Sequence, residues 1–288
     1  MPGDTRIDTL LGDATSRLDA VSDSARLDAE LLLARAIDVS RSYLFAHPED
    51  VLDDAAADRF DELLRRRLDG EPLAYIDGTR EFWSMELMVS PATLVPRPET
   101  EILVGLAVSE LPRRGPVRVL DLGTGSGAIA LAIARERPAV SVTAVDRSED
   151  ALAIARENAR QLDVDNVEFL AGDWTAPVRD REFDLVVSNP PYVRDDDPTL
   201  LALRHEPRAA LAAGPDGLDA IRRLARECRD VLVADGPLLL EHGAEQAGPV
   251  ADILAAEGWS DIRCSNDYAG LPRVTGARNS SRGAQCGT

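Results

Sequence analysis

Between residues 5 and 70, apolar positions recur at three- and four-residue steps. Leu10, Leu11, Leu18, Leu27, Leu31 and Leu32 fall on successive turns, which is the period of amphipathic helices, and Asp28 sits early in one of those turns. The pattern predicts a small helical bundle. It ends on a charge run, Arg65-Arg66-Arg67, of the kind that marks a solvated helix face, and Gly70-Glu71-Pro72 stops the last helix. From residue 75 to 95 the step shortens to alternating stretches punctuated by Gly78 and Pro91, which suits a β-hairpin connector. Beyond Pro96, strand-like and helix-like stretches alternate. Strands are expected over 117–122, 141–145, 167–170, 183–188 and 238–240. Helices are expected up to Pro138 and over 151–162, 218–233 and 250–257, with a closing strand pair near Ile262 and Val274. Such alternation calls for an α/β domain, a parallel sheet with helices on both faces. The boundaries drawn are 1–74 for the bundle, 75–95 for the connector, 96–278 for the α/β domain and 279–288 for a disordered tail.

The 288 residues suffice for a small module and a larger one, each with its own core. No apolar run approaches bilayer length, and acids stand in the first twenty residues where a secretory leader would be basic and greasy, so a cytoplasmic protein without a membrane anchor is expected. Three cysteines, Cys228, Cys264 and Cys286, are too scattered for a disulfide framework or zinc knuckle, so reduced thiols and no metal are expected. The formal net charge is -19 and lysine is absent, leaving arginine as the fixed cation. A chain of that charge repels a phosphate backbone, which disfavours direct binding of nucleic acid. His47 and His205 read as surface or packing residues, and His242 stands where an apolar residue is expected.

The first strand of the α/β domain runs into Asp121-Leu122-Gly123-Thr124-Gly125-Ser126-Gly127 and then directly into a helix. Glycines there permit a tight turn and let backbone approach a ligand. Asp146, at the end of the next strand, is placed to take ribose hydroxyls. Gly123, Gly125 and Ala128 also fit a relaxed dinucleotide fingerprint, so the loop alone leaves a methyl donor and a nicotinamide cofactor open. Asp173 and Trp174, after the third strand, supply a carboxylate to accept from an adenine amino group and an indole to cover its face.

The fourth strand delivers Asn189-Pro190-Pro191-Tyr192 at its carboxyl end, the edge where open parallel sheets bind ligands. Paired prolines stiffen the chain and remove backbone donors, leaving carbonyls to face a substrate. An amide nitrogen is a poor nucleophile because its lone pair is delocalised, so its hydrogens must be held and the nitrogen aimed at the methyl group. The Asn189 side-chain oxygen and the Pro190 carbonyl are the candidate acceptors, Tyr192 the candidate platform for a flat target, and Pro191 completes the substrate corner.

Together these residues resemble the release-factor glutamine N5-methyltransferases, the PrmC or HemK family. The resemblance also covers Asp28-Ala29, Gly70 to Ile76, Glu81-Phe82-Trp83, Pro96-Arg97-Pro98-Glu99-Thr100-Glu101, Glu206-Pro207-Arg208 with Ala210-Leu211, and the Asp267 to Val274 segment. It implies a class I, Rossmann-like domain with a mostly parallel seven-stranded sheet behind a helical docking bundle. S-adenosylmethionine is the implied donor, held by Gly123, Thr124, Gly125, Ser126, Gly127, Asp146, Asp173, Trp174 and Asn189. Asn189 to Tyr192 is the implied glutamine site, the implied partner is a peptide chain release factor methylated in its Gly-Gly-Gln motif, and the enzyme is expected to be a monomer. Arg97 and Glu99 would shape the pocket entrance or cap the following helix. The Gly214-Pro215-Asp216-Gly217 stretch departs from the glycine pair expected there. The alternative is an adenine N6-methyltransferase acting on nucleic acid, which needs the same grip on a planar amine but also a basic surface.

Overall fold

A computed structural model describes residues 5–112 and 116–280. The chain divides into two compact units, Met1–Gly78 and Thr79–Thr288, so the division falls four residues beyond the boundary drawn at 74.

Among its described residues the first unit holds helices α1 (Ile7–Leu18), α2 (Ala25–Ala36), α3 (Arg41–Ala46), α4 (Asp54–Leu68) and α5 (Leu73–Asp77). Its core is Leu11, Ala14, Leu18, Ala29, Leu32, Leu33, Leu44, Phe60 and Leu64. The inward face of α2 is rotated from the leucine stripe: Leu27 is exposed, Leu31 half-buried, and Asp28 and Glu30 are buried. Each buried acid is satisfied. Asp28 accepts from Arg67 Nε at 2.8 Å and from the hydroxyls of Ser22 and Ser24, and Glu30 accepts from Arg26 and Arg41 at 2.7 Å. Arg67 therefore turns inward, contrary to the solvated face expected of the arginine run, because a buried carboxylate requires a charged partner. Residues 75–77, expected to be extended, are helical. Pro72 at the N-cap and left-handed Gly78 at the C-cap bracket one short turn, and the period-2 pattern is too brief there to compete.

The second unit opens with a hairpin, β1 (Thr79–Phe82) and β2 (Met85–Met88), whose turn residues Trp83 and Ser84 both have positive φ. Then follow α6 (Thr100–Glu110), β3 (Val117–Leu122), α7 (Ala128–Glu136), β4 (Val140–Asp146), α8 (Glu149–Gln161), β5 (Val167–Ala171), β6 (Leu185–Ser188), α9 (Thr199–Ala202), α10 (Asp219–Val231), β7 (Pro237–Glu241), α11 (Ala247–Ala256), β8 (Ser260–Asn266) and β9 (Pro272–Arg278). The sheet order is β5-β4-β3-β6-β7-β9-β8, with β9 antiparallel to both neighbours and the other pairings parallel. Central strands are buried on both faces. Val119 packs with Leu103 and Leu131 on one side, while Leu120 and Leu122 pack with Ile221 and Leu224 on the other.

The chain order reverses at β3, so the carboxyl ends of β3 and β6 lie side by side at the switch point. Their register pairs Leu122 with Ser188, and the Ser188 hydroxyl donates to the Leu122 carbonyl at 2.7 Å. The loops that begin at Gly123 and Asn189 therefore leave the sheet from adjacent points.

The tail expected to be disordered is drawn from residue 279, where the described chain is still ordered. Asn279 is buried, and its side-chain nitrogen donates to Leu232 O at 2.9 Å and Arg229 O at 3.2 Å, while residues 281–288 lie outside the described part. Cys228 is buried and Cys264 exposed, and Cys286 also lies outside it. Among the described residues no helix is long and apolar enough to cross a membrane.

Candidate active site

At the switch point lies a cavity of about 530 Å³. Gly123, Thr124, Gly125, Ser126, Asp146, Asp173, Trp174, Asn189 and Pro191 all line it, so the two motifs read from the sequence share one space. The volume is within the range of cofactor and small-ligand pockets.

The glycine loop is held from beneath. Gly123 and Thr124 N–H groups donate to Val145 O at 2.8 and 3.0 Å, and Gly127 N donates to Thr124 O at 2.8 Å. Gly127 has φ 84°, and a Cβ there would come within 3.1 Å of Leu131 Cδ1 and 3.2 Å of the Ala155 Cβ, so the turn and the close approach of α8 both require glycine. Asn158, at full burial, donates to Ser126 O at 2.9 Å and exchanges two hydrogen bonds with the Met88 backbone. A side chain of α8 thus ties the hairpin connector to the loop.

Asp121 is buried beneath the loop. Its Oδ2 accepts from the Thr124 hydroxyl at 2.7 Å, its Oδ1 has no donor among the described residues, and burial pushes the carboxyl up to about 7. Asp146 has another environment: Oδ2 accepts from Gly125 N and Oδ1 from Ser148 N, both at 2.9 Å. Each carboxylate oxygen has a second lone pair beyond these bonds, and Asp146 lines the cavity, which leaves it able to accept from a ribose diol. Trp174, with φ 54°, lies against Gly123, where an added Cβ would meet the indole at 3.5 Å. Asp173 is already engaged by Arg223 Nη2 at 2.7 Å, an ion pair the sequence did not announce.

The second motif turns at Asn189. Its Nδ2 donates to Thr100 Oγ1 at 3.2 Å, Pro190 is buried, and Tyr192 is half-buried with its carbonyl held by Gln246 Nε2 at 3.0 Å. Asn189 and Pro191 line the cavity, whereas Pro190 and Tyr192 are not among its lining residues. Burial, with the nearby Glu241 carboxylate, pushes the Tyr192 phenol up to about 12, so it stays protonated.

Arg97 lines the cavity and pairs with Glu206, whose other oxygen accepts from Val95 N at 3.0 Å. Glu99 is at the N-cap of α6 without a side-chain capping bond. The Arg97–Glu206 pair therefore joins the segment before α6 to the segment after α9 along the cavity edge. His242 is fully buried, its ring bonded to Gly243 O and Thr275 Oγ1, both at 2.8 Å, and burial lowers its pKa so that it is neutral. Two hydrogen bonds explain how an imidazole replaces the apolar residue expected there. Thr100, Asn158 and Glu241 were not singled out from the sequence. Thr100 opens α6, Glu241 closes β7 and Asn158 lies on the buried face of α8, and nothing in local sequence marks any of the three as facing the site.

The sheet order, the glycine loop, the acid ending β4 and the proline corner define a class I S-adenosylmethionine-dependent methyltransferase. The methyltransferase fold is shared with a methyltransferase from Pyrococcus furiosus, at TM-score 0.53 and 19% identity, over 76% of this chain and 99% of that one. Residues 100–214 match the methyltransferase small domain family, and residues 9–78 match the PrmC N-terminal domain family. The chain is 47% identical over 264 residues to the release factor glutamine methyltransferase of Coxiella burnetii, covering 92% of this chain and 95% of the relative. It is 45% identical over 267 residues to that of Escherichia coli, covering 92% and 96%. This chain belongs to the release factor glutamine methyltransferase family. It is accordingly a donor-dependent enzyme, and the nicotinamide alternative is set aside.

Proposed function

We propose that this enzyme moves the methyl group of S-adenosylmethionine to the N5 side-chain nitrogen of the glutamine in the Gly-Gly-Gln motif of peptide chain release factors. The donor, when bound, supplies an electrophilic methyl on a sulfonium. The glycine loop over Gly123 to Gly127 takes its amino-acid end, Asp146 its ribose hydroxyls, and Asp173 with Trp174 its adenine. Asn189 Oδ1 and the Pro190 carbonyl accept the two N–H groups of the glutamine carboxamide. Pro191 and Tyr192 flank its flat face. Catalysis is then mainly orientation, with the proton leaving to solvent after the nitrogen has acquired the methyl group.

The observation that carries this reading is the placement of Asn189 and the glycine loop in one cavity by the Leu122–Ser188 register. The helical unit is read as the docking module for the protein substrate, and the enzyme as a cytoplasmic monomer, where translation factors reside. The net charge of -19 favours a protein over a nucleic-acid substrate. Incubation with donor and a release factor, followed by mass-spectrometric location of the methyl group, tests the reading. Methyl on the glutamine supports it, and methyl on an added oligonucleotide instead would establish the adenine alternative. Asn189→Ala should lower turnover by about 100-fold while donor affinity changes little.

A further inference from the structure

Glu241, the last residue of β7, is 1% exposed and ends the strand paired with β6, which delivers the proline corner. The β6–β7 register pairs Ser188 with Leu240, so Asn189 and Glu241 follow on neighbouring strands; Thr100 and Asn189 are the polar neighbours that favour its ionised form, and its Oε2 finds no donor among the described residues. Asn189 Nδ2 also donates to Thr100 Oγ1 at 3.2 Å. A buried carboxylate is costly and is retained only where it is compensated or used. Its remaining charged or titratable surroundings are Arg273 from β9, Glu99 before α6 and the Tyr192 phenol of the corner, with neutral His242 next in the chain. Arg273 is already paired with Asp267 at 3.1 Å.

We infer that Glu241 is a positioning residue that, directly and through Thr100, sets which end of the Asn189 amide faces the substrate. The inference rests on the reading of Asn189 as the carboxamide grip. An ionised carboxylate only accepts hydrogen bonds, so it draws the Asn189 NH₂ group and the Thr100 hydroxyl proton toward itself. The Asn189 Oδ1 is then the atom left for the cavity, and it can accept from a substrate N–H. With the amide reversed, Oδ1 would face a carboxylate and the NH₂ group would oppose the N–H groups of the target nitrogen. Protonation of Glu241 removes this preference, since a carboxylic acid also donates. Burial holds its carboxyl up at about 7, so the preference weakens within an accessible pH range.

The test uses full-length Glu241→Leu, Glu241→Gln and Asn189→Ala proteins, with saturating donor and a release factor as substrate. Glu241→Leu should lower kcat by about tenfold or more at about pH 8 while the donor Kd stays within about threefold. Wild-type kcat/KM for the protein substrate should rise with pH through an inflection near 7, and the Glu241→Gln profile should be flat there. Asp121, beneath the donor loop, is also raised to about 7, so Asp121→Asn is measured alongside and should keep the inflection that Glu241→Gln loses. An inflection that persists in Glu241→Gln would belong to another group and overturn the inference, as would normal kcat in Glu241→Leu. If Asn189→Ala is inactive while both Glu241 variants behave as wild type, the inference fails and the grip stands. If Asn189→Ala is itself active, the underlying reading fails.

Discussion

Gly217 stands directly behind Tyr192: a Cβ built on Gly217 would collide with the Tyr192 carbonyl oxygen, which also accepts from Gln246 Nε2 at 3.0 Å. Gly217 has φ 74°, so both its conformation and its closeness exclude a side chain. The stretch over Gly214 to Gly217, which departs from an expected glycine pair, thus still presents glycine where the corner needs it.

Gly217→Ala should therefore cost about 1–3 kcal/mol from backbone strain, read as a lower urea midpoint. The corner must also shift to relieve the collision, so kcat should fall more than donor affinity. A variant with wild-type kcat would show that the corner's position is not critical.

Asp146 shares its two oxygens between Gly125 N and Ser148 N, each at 2.9 Å. Asp146→Asn offers only one acceptor, so the loop bond or the Ser148 bond is lost along with part of any diol recognition. Donor Kd measured by calorimetry should rise about tenfold, corresponding to one charge-assisted hydrogen bond of about 1.5 kcal/mol. An unchanged Kd would remove Asp146 from donor binding.

Glu206 is buried and Arg97 is partly exposed, and their pair joins two segments at the cavity edge. Arg97→Ala leaves the carboxylate with the Val95 N–H alone and should destabilise by about 2 kcal/mol, below the cost of breaking a fully buried pair because water reaches the arginine side. Adding Glu206→Gln to it should recover part of the loss, since a neutral amide needs no counter-charge. Failure of the double variant to recover would assign the loss to packing.

Burial raises Asp121 to about 7 from an ordinary value near 3.8. Between those values the folded protein retains a proton that the unfolded chain has released, so this group lowers stability as pH rises from about 4 to about 7 and adds no further change above. Glu241, raised to about 7 by burial, acts in the same direction. In donor-free Asp121→Asn protein, the fall in urea midpoint between about pH 5 and about pH 8 should be smaller than in wild type. An equal fall would mean that Asp121 is ionised in the folded state throughout.

The alternation of strands and helices, the glycine loop after β3, Asp146 and the Asn189 to Tyr192 corner could all be read from the chain, because each depends on local periodicity or on residues adjacent in sequence. The inward face of α2 departs from the leucine stripe. Leucine spacing alone could not show that Asp28 and Glu30 are buried against arginines that include Arg67, thirty-nine positions beyond Asp28. Residues 75–77 are helical and not extended for a related reason: the caps at Pro72 and Gly78 outweigh a short alternating pattern.

Sequence by itself determined the class of fold, the donor loop and the residues of the corner, since these are written as contiguous motifs with fixed chemistry. Tertiary structure alone decided that the loop and the corner share one cavity, through the parallel pairing of β3 with β6. It also decided that Thr100 and Glu241 neighbour Asn189, and that Asn158 braces Ser126. The physical reason is that a buried polar side chain must find its partner in space, and the partners of these residues lie on other strands and helices, at separations that no local pattern encodes.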